Sequence, residues 1–266
     1  IPSQNQLIVK ENNIFALGNG GVLKSTNFGL NWTAFNNGII SYFTHAIYAN
    51  KTNLFLGSEF GVQISSNNGE NWIVKNDGLT NELVISLAAS GPYIFAGTES
   101  NGIFRSSDNG LNWDTCGLPG KSIFALASSC TNLFAGTVLD GGIFLSTNFG
   151  ESWTTVSNGL NNQVVLSLVI KGNCIFAGTE GGVFRSTNNG ENWNLFNNGI
   201  TYNMIYALAA TRTNVFAGSN TQQGGIYRSS DDGQNWTPIN SGLLNRFIRS
   251  ILISGTNIYA GTYGGV

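Results

Sequence analysis

Short β-branched and aromatic runs alternate with Gly, Asn and Lys-Gly punctuation along the whole chain, and nowhere does the apolar spacing change to that of a helix. One stretch displays the unit. Val165-Leu166-Ser167-Leu168-Val169 is followed by Cys174-Ile175-Phe176-Ala177-Gly178-Thr179, then Gly182-Val183-Phe184-Arg185-Ser186, then Trp193-Asn194-Leu195-Phe196. The pattern predicts four antiparallel strands, innermost to outermost. The first two are apolar on both faces, as in a sheet packed between neighbouring sheets, while the third and fourth admit more polar residues.

The unit repeats. Between the third and fourth predicted strands stands Ser-x-Asn/Asp-x-Gly-x-x-Trp, present six times, and it carries every tryptophan of the chain: Trp32, Trp72, Trp113, Trp153, Trp193 and Trp236. The Asn/Asp position reads Asn27, Asn67, Asp108, Asn148, Asn188 and Asp231. Steps of 40, 41, 40, 40 and 43 residues between tryptophans match the period of one four-stranded sheet in a repeat array. Each residue has a local role: Asn or Asp is expected to bond its own backbone two residues on, Gly takes a positive φ, and Trp is expected to be buried between sheets.

This phrase resembles the Asp-box, or bacterial neuraminidase repeat, of β-propellers such as sialidases, sortilin-type receptors, xyloglucan hydrolases and photosystem II assembly-factor-like proteins. The resemblance covers the whole chain and implies propeller architecture. Four of the six copies depart from it by carrying Asn at the acidic position. In those families the turn lies away from the ligand site, so the motif is read as structural.

Phe-Ala-Gly-Thr or a close relative recurs seven times, at Phe15, Phe55, Phe95, Phe134, Phe176, Phe216 and Tyr259. Seven inner pairs against six outer phrases predict an all-β, seven-bladed β-propeller of four-stranded antiparallel blades. Its last blade, at 248–266, is incomplete, and residues 1–266 form one domain. Ile1-Pro2-Ser3 aligns with the end of an outermost strand, so either the chain is a piece of a longer one or the ring closes imperfectly. A start at Ile1 rather than Met implies that an N-terminal segment was removed or left out.

Charged residues make up 10% of the chain with a net charge of −2, which disfavours a nucleic-acid partner. No apolar run approaches the ~20 residues of a transmembrane helix. A surface rich in Asn, Ser, Thr and Gly is expected of an exported, extracytoplasmic bacterial protein. The chain has one His, three Cys and no Cys-x-x-Cys, so no metal or cofactor is expected. Cys130 and Cys174 are placed in equivalent turns; a bridge between them is conceivable, but free thiols are the expectation.

Departures from the repeat supply the site candidates. After the Gly-Thr signal the turn carries Glu59, Glu99 and Glu180, with Asn19 and the insertions Val138-Leu139-Asp140 and Asn220-Thr221-Gln222-Gln223 in other copies. These carboxylates suit a cation, an amine or acid–base chemistry, although exposed Glu in a turn is ordinary. On the innermost strands one equivalent position reads Asn5, His45, Ile85, Phe124, Leu166, Tyr206 and Arg249. Units six, seven, one and two are polar there, and neighbouring connections add Tyr42, Phe43, Tyr202, Arg246 and Phe247. Any small-ligand or partner contact at the channel mouth is expected on that sector.

A sialidase needs three arginines clamping a carboxylate. Here Arg105, Arg185 and Arg228 precede the repeated Ser, Arg212 lies in a turn on the same side, and only Arg246 and Arg249 remain. The expected function is therefore a non-catalytic interaction module or scaffold within a larger extracytoplasmic assembly. Its partner would be another protein or the rest of a longer chain. A glycan-binding or glycan-cleaving propeller is the alternative.

Overall fold

The structure, a computed structural model, describes residues 6–18, 20–79, 83–138 and 141–266. Within them there is no helix. Six four-stranded antiparallel sheets follow one another, each with its strands hydrogen-bonded in chain order. Their first strands are Leu7–Lys10, Thr44–Ala49, Val84–Ser90, Ile123–Ser129, Val165–Lys171 and Ile205–Ala210. In the fifth sheet Val165–Lys171 is followed by Cys174–Thr179, Gly182–Ser186 and the two-residue edge Asn194–Leu195. The second strands are buried almost end to end, because the Phe-Ala-Gly-Thr runs lie between layers.

These are six blades of an all-β propeller, which corrects the seven-bladed expectation. The third and fourth strands come from the half of the repeat that contains Ser and Trp, and that half occurs six times. The seventh Ala-Gly-Thr signal forms only a two-stranded hairpin, Ile248–Ser254 with Asn257–Thr262, after which the chain enters a turn. Ile1-Pro2-Ser3 lies outside the described residues. Two compact units carry the sheets, the first running as far as Ile123 and the second spanning Phe124–Gly264.

The repeated turn is a closed hydrogen-bond circuit. Ser25 Oγ accepts from the Gly29 N–H at 2.8 Å and donates to Asn27 Oδ1 at 3.0 Å, and Asn27 Oδ1 accepts from the Asn31 N–H at 2.9 Å. The same bonds recur around Ser65, Ser106, Ser146, Ser186 and Ser229. Two consecutive residues take positive φ, the Gly and the residue before it, which is Phe28, Asn68, Asn109, Phe149, Asn189 or Asp232. Trp72, Trp113, Trp193 and Trp236 are buried as expected. Trp32 and Trp153 are only half-buried, contrary to that expectation.

Each buried indole is tied to the preceding sheet of its unit. Trp193 Nε1 donates to Val156 O at 2.7 Å and Trp236 Nε1 to Phe196 O at 2.9 Å; Trp72 and Trp113 bond Phe35 O and Lys75 O in the same way. A second repeated element, four to six residues after Trp, completes the joint. Asn36, Asn76, Asn197 and Asn240 accept from the backbone N–H of Val22, Val62, Val183 and Ile226, which fixes the turn between strands two and three. Gly199 then lets Trp236 approach, since a Cβ there would meet Trp236 O at 2.1 Å.

A third close approach sets the first strands. A Cβ on Gly57, Gly97, Gly136, Gly178 or Gly218 would lie within 2.4 to 2.8 Å of a methyl of Val84, Ile123, Val165, Ile205 or Ile248. The Gly of the Phe-Ala-Gly-Thr run thus makes room for the β-branched residue that opens the next first strand.

Candidate functional site

Immediately after the anchored Val84, Val165, Ile205 and Ile248, and after Thr44 in the second sheet, the first strand bulges. Pairing with the second strand slips across Thr44/Ala46, Val165/Ser167, Ile205/Ala207 and Ile248/Ser250, and at the corresponding place in the third sheet. The residues left unpaired are His45, Leu166, Tyr206, Arg249 and Ile85, the same positions singled out by the break in the apolar pattern. A β-bulge redirects a side chain without ending the strand. Phe124 follows the anchor Ile123, and Asn5 lies outside the described residues.

In the first unit His45 is buried, and among the described residues its Nδ1 has no hydrogen-bond partner, nor has Thr44 Oγ1 beside it. Burial lowers the His45 pKa below 6.5, with Glu59 pulling weakly the other way. Glu59 is held by the Ser41 hydroxyl, which donates to its Oε1 at 2.8 Å. Around this pair Ile40, Tyr42, Phe43 and Phe60 are all exposed, Tyr42 at 58% and Phe43 at 64%. Sequence reasoning had not included Ile40 and Phe60; both are ordinary connection residues whose exposure only the fold reveals.

In the second unit the Arg249 guanidinium carbon sits 5.0 Å from the Tyr206 ring centroid and 5.7 Å from that of Tyr263. Phe247 packs on Tyr263 with centroids 6.4 Å apart. Among the described residues Arg249 Nε and Nη1 are buried with no acceptor, and Asn220 Oδ1 is buried with no donor. Arg246 is exposed and lines a groove of about 470 Å³ with Thr201, Gln223, Tyr227 and Asn240. Tyr202 is half-buried in the connection before Ile205.

The structure therefore groups Tyr206, Phe247 and Arg249 in one unit, and His45, Glu59, Tyr42 and Phe43 in the other. Glu99 and Glu180 are exposed turn residues of separate sheets. Asn19 and Asp140 lie outside the described residues. Among the described residues no disulfide joins Cys116, Cys130 or Cys174. Cys130 and Cys174 are not equivalent: Cys130 takes φ 53° in a turn, where Gly172 stands in the next sheet, while Cys174 opens a second strand.

The DUF6242 beta propeller domain family matches residues 142–246. The chain has the β-propeller fold. The extracellular domain of BT4673 from B. thetaiotaomicron superposes with a TM-score of 0.81 at 16% identity, over 98% of this chain and 37% of that one. YCF48 bound to D1 peptide gives 0.76 at 14% identity, over 98% and 89%. The GH74 enzyme of Niastella koreensis gives 0.69 at 17% identity, over 98% and 42%. This chain thus spans well under half of the BT4673 domain and of the GH74 enzyme. No curated protein matches it in sequence.

Proposed function

We propose that the chain is a non-catalytic Asp-box β-propeller that serves as an interaction module of a larger extracytoplasmic bacterial assembly. The carrying observation is the exposed group Ile40, Tyr42, Phe43 and Phe60 around the tethered Glu59. Aromatic side chains held on short, anchored connections bury large area at small entropic cost, which is what a protein contact uses. Similar folds occur in an extracellular domain and in a peptide-bound protein, which supports the reading without specifying the partner. A photocrosslinking residue at position 43, in cells of the source organism, should trap one partner, and Tyr42→Ser with Phe60→Ser should abolish the adduct. Crosslinks no stronger than those from position 195, exposed on an outer edge strand, would sink the proposal.

The second reading, glycan binding, is favoured by one observation, the Arg246 groove with its amide and tyrosine lining. That lining contains no Asp or Glu, so the groove offers no carboxylate pair for glycoside hydrolysis. A glycan array tests binding there, with Arg246→Ala as the control.

A further inference from the structure

Arg249 is costly where it stands. Two of its guanidinium nitrogens are buried without acceptors, and the flanking Tyr206 and Tyr263 rings attract the cation without accepting those N–H groups. The fold does not require an arginine at this bulge, because the same place holds Leu166 in the fifth sheet and Ile85 in the third, both buried. Arg249 is half-buried as a residue, but its buried, unmatched nitrogens call for a partner that completes them.

The second unmatched group lies alongside. Asn220 pairs as an isolated bridge with Phe247, and its N–H donates to Met204 O at 2.9 Å. Phe247 and Met204 each stand two residues before a bulged residue, Arg249 and Tyr206. Asn220 therefore links the approaches to both strands and brings an acceptor, Oδ1, that finds no donor.

We propose that Arg249, Tyr206 and Asn220 form a subsite for a small carboxylate that carries a hydrogen-bond donor on the neighbouring carbon. The carboxylate supplies acceptors to the guanidinium, for which a planar oxyanion is the natural match. The adjacent hydroxyl or amide N–H satisfies Asn220 Oδ1. Tyrosine walls favour a flat ligand and hold the guanidinium in place. Free hydroxy or amido acids and the free end of a peptide share this chemistry. The subsite is independent of the aromatic group around Phe43, so the two readings fail separately.

Calorimetric titration of the whole chain tests it with four probes: lactate, N-acetylglycine, N-acetylglycinamide and sulfate. The first two should bind and the last two should not, since one lacks the charge and the other lacks the donor. Asn220→Ala should weaken N-acetylglycine by about tenfold, the range of one hydrogen bond to an otherwise unmatched group. Arg249→Leu should abolish binding while melting no lower than the parent chain. A peptide that binds more tightly than N-acetylglycine, and loses binding on C-terminal amidation, identifies a chain end as the source; equal or weaker binding identifies a free acid. The proposal is overturned if no probe binds, if sulfate binds as well as N-acetylglycine, or if Arg249→Leu binds unchanged. It is equally overturned if that substitution lowers Tm by more than about 4 °C, which would mark the arginine as structural.

Discussion

The serine-to-tryptophan turn and the first-strand bulge both recur from sheet to sheet, but they treat polar side chains in opposite ways. In the turn every Ser Oγ and every Asn or Asp Oδ1 is engaged, six times over, at 2.8 to 3.0 Å for the bonds that close the loop. At the bulge His45 Nδ1, Arg249 Nε and Arg249 Nη1 are buried and unmatched, while Ile85 and Leu166 hold the same place with no polar group at all. The turn is uniform because it serves folding in every copy. The bulge varies because in the later sheets its backbone is fixed from outside, by the Gly that seats the preceding Val or Ile, and the side chain is left free to differ.

Breaking the turn side of the comparison should cost the most. Trp193 is 2% exposed and its indole N–H bonds the Val156 carbonyl of the preceding sheet. Trp193→Ala should therefore destabilise by about 3–5 kcal/mol in urea unfolding. Trp153→Ala, with its ring half-buried, should cost distinctly less. Equal losses would show that exposure does not govern what these rings contribute.

The next effect concerns the seat of the bulge. A Cβ on Gly218 would come within 2.4 Å of Ile248 Cγ2, one residue before Arg249, whereas one on Gly18 would meet nothing within 4 Å. Gly218→Ala should cost about 1–3 kcal/mol and Gly18→Ala less than about 0.5 kcal/mol. Because the clash displaces Ile248, Gly218→Ala should also change the environment of Arg249, read as altered fluorescence of Tyr206 and Tyr263. Similar stability losses at both glycines would remove the packing argument.

Titration sharpens the contrast further. The folded chain holds His45 below its ordinary 6.5, mainly through burial, so folded His45 resists a proton that the unfolded chain accepts. Stability from this group is complete above about pH 6.5 and declines as the pH falls toward the lowered value. His45→Ile, the residue type of the third sheet, should flatten Tm across that window. In the turns the sign is the same but the window is lower. Bonds from Asn112 and Asn235 hold Asp108 and Asp231 at about 2 instead of 3.8, so their contribution is lost between about pH 4 and 2. Asp108→Asn with Asp231→Asn should remove that loss and leave the His45 window untouched.

Much of this was legible in the sequence. Period, strand order and the positive φ of Gly follow from residues that act locally, whereas Asn was expected to bond two residues on and bonds four on; the break at His45, Tyr206 and Arg249 singled out positions that the structure places at a bulge. Blade number was misread, because Tyr259-Ala260-Gly261-Thr262 looks like any other second strand, and the hairpin expected as an incomplete seventh blade stands as two strands beside six four-stranded sheets. The half-buried state of Trp32 and Trp153 escaped for a related reason, since six copies of one phrase do not have six identical surroundings. Asn220 was read as part of a turn insertion; its unmatched carbonyl depends on a bridge to Phe247, a pairing that no spacing rule announces.

The smallest effect tests whether the uniform turn is optimal in every copy. Phe28 stands at φ 59°, one residue before Gly29, where the second, third and fifth copies carry Asn68, Asn109 and Asn189. Left-handed backbone costs an ordinary L-residue about 1 kcal/mol, and Asn tolerates it best among side-chain-bearing residues. Phe28 recovers little of that cost by burial, being 67% exposed. Phe28→Asn should consequently stabilise the chain by about 0.5–1 kcal/mol, read as a later urea midpoint with an unchanged slope. Loss of stability would mean that the ring contributes more through surface contact than the backbone strain takes away, and the turn would then not be governed by backbone conformation alone.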